Sequence, residues 1–358
     1  MSAQPSARTT FTSDELLSTE PRLAPLIAGG VRCHGGFDAE GSYRSPRTLH
    51  RTPAVRAWQD RLALEGHSLV SIPESLTPPQ YPSVDQSKLL LREGVTEPIV
   101  RALTLIAIVE GFGAIIREVP VPELSPHIRE SIDGTALAHL RSLFEAHARD
   151  EAGHKDEGGH KQMWEAARDL ALDKPKVPSD ILLRMMGRRA SGKKAEKPRL
   201  HAALDPAFER MLGTMANVLV IEVFAANTFD WGERLLSDEA VSASPKAAGA
   251  MVAHIRADEA PHVEYLRAAL SEIRARTLRT VDGGEVSGRL VVDALLHDTL
   301  STLTSARPKD QRDETRTSLV EAMKAAKKGD SLLDAFDALE PAWTPPAKTG
   351  FEPPHEVV

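Results

Sequence analysis

Two stretches of the chain repeat each other in residue type. Leu105-Ile106-Ala107-Ile108-Val109-Glu110-Gly111-Phe112 and Asn217-Val218-Leu219-Val220-Ile221-Glu222-Val223-Phe224 each hold one glutamate inside an apolar run, with phenylalanine two residues later. Each is followed by an acid-rich motif, Asp150-Glu151-Ala152-Gly153-His154 and then Asp258-Glu259-Ala260-Pro261-His262. Residues i and i+3 of a helix point the same way, with Cβ atoms about 5–6 Å apart, so Glu-x-x-His offers a carboxylate and an imidazole to a single cation. Glu110, Glu151, His154, Glu222, Glu259 and His262 therefore make six oxygen and nitrogen donors, a set for two metal ions. With 29 Glu, 22 Asp and 13 His in 358 residues, random placement gives roughly one Glu-x-x-His but fewer than about 0.1 Asp-Glu-x-x-His. Two copies, each behind a matched glutamate, exceed coincidence.

Energetics point the same way. An ionised glutamate in an apolar helix stripe costs several kcal/mol unless a cation meets it, and the stripes around Glu110 (Leu103, Ile106, Ala107, Ala114), Glu222 (Met215, Val218, Leu219, Ala226, Phe229) and Glu259 (Val252, Ile255, Leu266, Ile273) contain no base. A third copy, Asp156-Glu157-Gly158-Gly159-His160, begins six residues after the first. On one continuous helix that offset is a turn of about 240°, so only one copy faces the site. Leu137, Leu140, Phe144, His147, Glu151 and His154 form one stripe, which selects Glu151 and His154 and leaves Glu157 and His160 as the alternative. His147 shares that stripe, as a further ligand or as a hydrogen-bond partner of one. His254 lies five residues before Glu259, about 140° off its face, and would need a kink at Pro261 to come round. Asp150 and Asp258 are placed to orient bound histidines.

The elements that must position these groups are helices. Periodicities of three and four run over about 89–117, 134–172, 206–236 and 247–276, then 288–305 and 312–327, and no alternating strand pattern demands a sheet. The fold class is all-α, and residues 54–276 form the metal-holding bundle. The 41 and 37 residues from lone glutamate to motif (110 to 151, 222 to 259) fit two helices joined by a short turn, and the 71 residues from 151 to 222 fit a long crossover. Residues 1–53 read as an irregular arm, 173–199 as a basic linker within the crossover, 277–340 as accessory helices, and 341–358 as a Pro-rich tail.

Net charge −7 has the wrong sign for a partner of nucleic acid. One cysteine, Cys33, excludes a disulfide or a thiolate cluster. The apolar runs are shorter than the ~20 residues of a bilayer span and the first residues carry no secretory pattern, so no membrane partner and a cytoplasmic address are expected. No flavin or nicotinamide fingerprint is visible, so electrons would come from an external donor, a ferredoxin or a reductase. The basic segment 173–199, with Arg188, Arg189, Lys193 and Lys194, is a candidate dock for that donor or for an acidic carrier protein. Apolar bundle faces suit a homodimer.

The doubled Glu, then Asp-Glu-x-x-His pattern resembles the ferritin-like non-haem di-iron carboxylate oxygenases, most closely the p-aminobenzoate N-oxygenase family. The resemblance covers about residues 88–276 and rests on Glu110, Glu151, His154, Glu222, Glu259 and His262. It implies a four-helix bundle, two iron ions as cofactor with manganese as the alternative, an additional histidine ligand, O2 as co-substrate, and oxygenation of a small organic molecule, with N-oxygenation of an amine as its most specific form. Two alternatives stand beside it. One is a fatty-acyl desaturase acting on acyl-carrier protein, or a C–H hydroxylase, of the same fold. The other is an iron-oxidising or di-manganese protein without an organic substrate.

Overall fold

The computed structural model describes residues 8–181, 199–304, 306–344, 348–351 and 353. Most of the described chain is helical, in α1 (Ser13–Leu16), α2 (Arg51–Leu64), α3 (Val84–Arg92), α4 (Glu97–Gly113), α5 (Leu140–Ala152), α6 (His160–Ala171), α7 (Pro206–Leu236), α8 (Pro245–Arg274), α9 (Gly288–Thr304), α10 (Ala306–Ala325) and α11 (Asp330–Ala338). The long helix α7 starts where its sequence says it should. Asp205 accepts from the amides of Ala207 and Phe208 at 2.9 and 3.0 Å, and Pro206 fills the first helical position, satisfying orphan amides without a kink. α7 packs along α8, α4 along α6, and α6 against α8.

Two readings of the sequence change. The stretch 134–172 is not one helix: α5 ends at Ala152, Gly153 takes φ +82°, and α6 begins at His160. Nor is the arm irregular or free of strands. β1 (Ala24–Ala28) and β2 (Val31–Phe37) pair antiparallel through Gly29-Gly30, whose φ values of 56° and 82° make a two-residue hairpin turn, and β3 (Tyr43–Arg44) pairs with β2. Tiny strands β4 (Thr277–Arg279) and β5 (Glu285–Ser287) precede α9. Most of the proposed basic dock, including Arg188, Arg189, Lys193 and Lys194, lies outside the described residues.

Among the described residues the apolar interior falls into two clusters. Leu219 and Val220 of α7 and Leu266 and Tyr265 of α8 belong to one, and Phe229 of α7 with Val252 and Ile255 of α8 to the other. Glu222 and Glu259 sit where the clusters divide. Contrary to the expectation that every apolar run is too short for a bilayer, α4 with its continuation to Glu118, and α7, are each long and apolar enough to cross a membrane by length and composition alone, a test that core helices also pass, with a third of their most apolar windows buried.

Candidate metal centre

Five helices deliver seven side chains to one buried place. Glu110 (α4), Glu151 (α5), His160 (α6) and Glu259 (α8) form one group, and His147 and Glu151 (α5), Glu222 (α7) and His262 (α8) form a second. The donor atoms within each group lie within 4.8 Å of one another. Glu151 belongs to both. Glu259 also spans them, with Oε1 2.8 Å from His160 Nδ1 and Oε2 2.6 Å from His262 Nδ1. His147 Nε2 stands 3.2 Å from Glu222 Oε1, and its ring stacks on His262 at 3.8 Å. The three imidazoles are fully buried, whereas the Glu110 and Glu222 side chains keep 12% and 11% of their surface. Approach to the cluster is therefore from the α4 and α7 side.

His154 is not among these donors. On a continuous helix it would be, but the chain leaves the helix at Gly153, folds through 153–159 and returns with His160 beside Glu151. The return is tight. His154 and Glu157 exchange backbone hydrogen bonds of 2.9 and 3.1 Å, and a Cβ on Gly159 would sit 2.5 Å from the Asp150 carbonyl and 2.6 Å from that of Glu151. His154 and Glu157 end half-exposed on this loop, Glu157 near Arg32. The loop is pinned from outside by β2, through Gly158 N to Arg32 O at 2.8 Å and His34 N to Gly158 O at 2.9 Å. His254 stays off the site, stacked on Tyr43 at 4.0 Å; Pro261 lies within a helix that continues from Pro245 to Arg274.

Two of the central histidines, His147 and His262, hydrogen-bond a buried partner through their second nitrogen, whereas that of His160 only faces one. His147 Nδ1 meets Tyr265 Oη at 3.1 Å, His262 Nε2 meets Asp150 Oδ2 at 2.9 Å, and His160 Nε2 faces Asp258 Oδ2 at 3.6 Å. The first two contacts fix ring orientation and leave the inner nitrogen free to ligate; the third is beyond hydrogen-bond reach, and His160 Nε2 has no hydrogen-bond partner. The aspartates are held by residues the sequence reading missed. Arg47 Nε donates to Asp150 Oδ1 at 2.6 Å and Arg51 Nη2 lies 2.8 Å from Oδ2. Tyr43 Oη donates to Asp258 Oδ2 at 2.7 Å, with His34 Nε2 at 3.1 Å. Arg47 has φ +52°, a strained value for a side-chain-bearing residue that surrounding contacts must hold. Nothing periodic marks these four, because they come from the arm and the first turn of α2.

Electrostatics show what the cluster lacks. Burial, then the neighbouring carboxylates, pushes Glu151 and Glu259 well above the usual carboxylate range. Burial also works against Glu222, yet the neighbouring His147 and His262 hold it down at about 2. Burial favours neutral His160, but Glu259 and Glu151 raise it well above the ordinary histidine value; burial and His147 lower His262 to about 3. His147 Nε2, Glu151 Oε1, His160 Nδ1 and Glu259 Oε1 are buried without a hydrogen-bond partner, and each such atom costs about 1–3 kcal/mol. Cations would satisfy all four and relieve the crowding of negative charge. The donors, carboxylates with imidazoles, suit iron or manganese. No family model, no curated protein and no solved structure matches the chain.

Proposed function

We propose that the chain is an O2-dependent dimetal oxidoreductase built on a ferritin-like bundle, with two iron ions as its resident cofactor. The observation that carries this reading is the pair of His/Glu groups sharing Glu151, with orphaned buried atoms converging between them. Glu110 and His160 would hold one ion, and Glu222, His147 and His262 the other, with Glu151 and Glu259 between them. Bound there, two ions would supply reductive activation of O2, with electrons from an external ferredoxin or reductase. The resemblance stated above implies one histidine beyond the two Glu-x-x-His motifs, and His147 is the residue placed to provide it.

The protein's own groups orient and exclude. Tyr265 and Asp150 fix the imidazoles of His147 and His262, and apolar clusters flank the cluster on α7 and α8. Val109 and Ile221, the chain neighbours of Glu110 and Glu222, are exposed, as is Ile115. We take an amine undergoing N-oxygenation as the first candidate, from the resemblance to the p-aminobenzoate N-oxygenase family, with C–H oxidation or desaturation of an acyl chain as the second. The test is to load the protein with Fe(II), supply O2 and a chemical reductant, and offer arylamines and acyl carriers in turn. An oxygenated arylamine supports the first candidate and a desaturated or hydroxylated acyl chain the second. Oxygen uptake that never depends on an organic substrate would instead mark an iron-oxidising protein.

A further inference from the structure

The outer side of α8 borders a cleft that the metal centre does not use. At ~100° per residue, Ala257, Ala260, Pro261 and Glu264 lie about 180° around the helix from Glu259 and His262. They form one wall of a cleft of about 480 Å³, whose other walls are α2 and the N-terminal arm. That volume falls within the range of small-molecule sites.

The lining holds polar groups with nothing to meet. Pro261 has no N–H, so the Ala257 carbonyl, one turn earlier on the same face, lacks its helical donor. Arg56 on α2 and Glu20 on the arm both line the cleft, yet neither makes a hydrogen bond or ion pair among the described residues. A free cation and a free anion thus share one cleft without reaching each other. The remaining charges are engaged: Glu264 accepts from Arg267 at 3.0 Å and from Gln59 at 2.5 Å, and Arg44 donates to Asp38 at 2.7 Å. Thr52 stands one turn before Arg56 and adds a hydroxyl on the same side of α2. Val55, Ala260 and Pro261 supply small apolar surface.

We infer that this cleft binds a small zwitterion of the amino-acid type. Its carboxylate meets Arg56 and Thr52, its ammonium meets Glu20 and the Ala257 carbonyl, and its aliphatic part lies against Val55, Ala260 and Pro261. A simple anion would face Glu20 and a simple cation would face Arg56, each without a counter-charge; a ligand carrying both charges matches both residues. Charge-assisted bonds of this kind, the guanidinium with a carboxylate above all, are the strong ones. The site stands or falls independently of the metal ions, because its residues lie on the far side of α8 from the ligating ones.

The experiment is calorimetric titration of the full-length protein with leucine and, separately, with dileucine, which carries the same two charges farther apart. One of them is expected to bind with a millimolar or tighter Kd, and the tighter of the two reports the spacing of the charges. Isocaproate, which lacks the ammonium, and isoamylamine, which lacks the carboxylate, should each bind at least ~10-fold more weakly. Arg56→Met should abolish the advantage of the zwitterion over isoamylamine, and Glu20→Gln its advantage over isocaproate. Ala260→Leu should block the cleft and abolish binding, with helicity by circular dichroism unchanged. No saturable binding of either zwitterion overturns the inference. So does binding that Arg56→Met and Glu20→Gln both leave intact, or a zwitterion held no more tightly than its singly charged analogues.

Discussion

Gly113 stands close to Glu110 on α4, and a Cβ there would lie 2.5 Å from Glu151 Cγ and 2.8 Å from its Cδ. The absence of a side chain is what lets the shared carboxylate reach both groups. Gly113→Ala is therefore expected to displace Glu151 and at least halve the iron content, with helicity by circular dichroism unchanged; undiminished iron would show that Glu151 can be accommodated elsewhere. The histidines give a sharper pair. His160→Ala should lose metal, because it removes a donor whose Nδ1 is 3.3 Å from Glu151 Oε1. His154→Ala should retain it, and the reverse result by metal analysis would restore the continuous-helix reading.

At the scale of elements, the turn 153–159 and the N-terminal arm do what the helices cannot. The turn returns the chain so that Glu151 and His160 meet from different helices, and the arm clamps Asp150 and Asp258 from outside. Arg51 is fully buried at the start of α2, and Arg51→Leu leaves Asp150 with one cation fewer. A loss of about 3 kcal/mol is expected in urea unfolding of the metal-free protein; an unchanged midpoint would mean that Arg47 alone suffices. What was legible in the sequence follows from range. The 31-residue α7 carried its own cap and periodicity, and Glu110, Glu151, Glu222, Glu259, His147 and His262 could be aligned by helical spacing alone. Helical spacing gives His160 only as the alternative to His154, because it takes the helix through Gly153, Gly158 and Gly159, which are the signs of its break. The arm's contacts, such as Tyr43 to Asp258 across 215 positions, leave no local trace. Gly29-Gly30 did signal a turn, and between two apolar runs it is a hairpin turn.

Across the whole molecule, a polar layer divides an apolar interior, and such a division is stable only when its charges are met. In the metal-free protein Glu151 and Glu259 hold protons well above the ordinary carboxylate value of 4.5, through burial and mutual repulsion. Their contribution to stability is complete below that value and is lost as pH rises through their raised ones. Metal ions must displace those protons, so affinity should rise with pH and binding should release protons into a weakly buffered solution. Binding with no proton release would show that these carboxylates are already ionised. The most direct test of the central claim is metal content per chain after reconstitution with Fe(II), for wild type and for the Glu151→Ala/Glu259→Ala variant. About two irons in wild type, reduced to fewer than one in the variant, is the expected result; a folded wild type that cannot be loaded would contradict it.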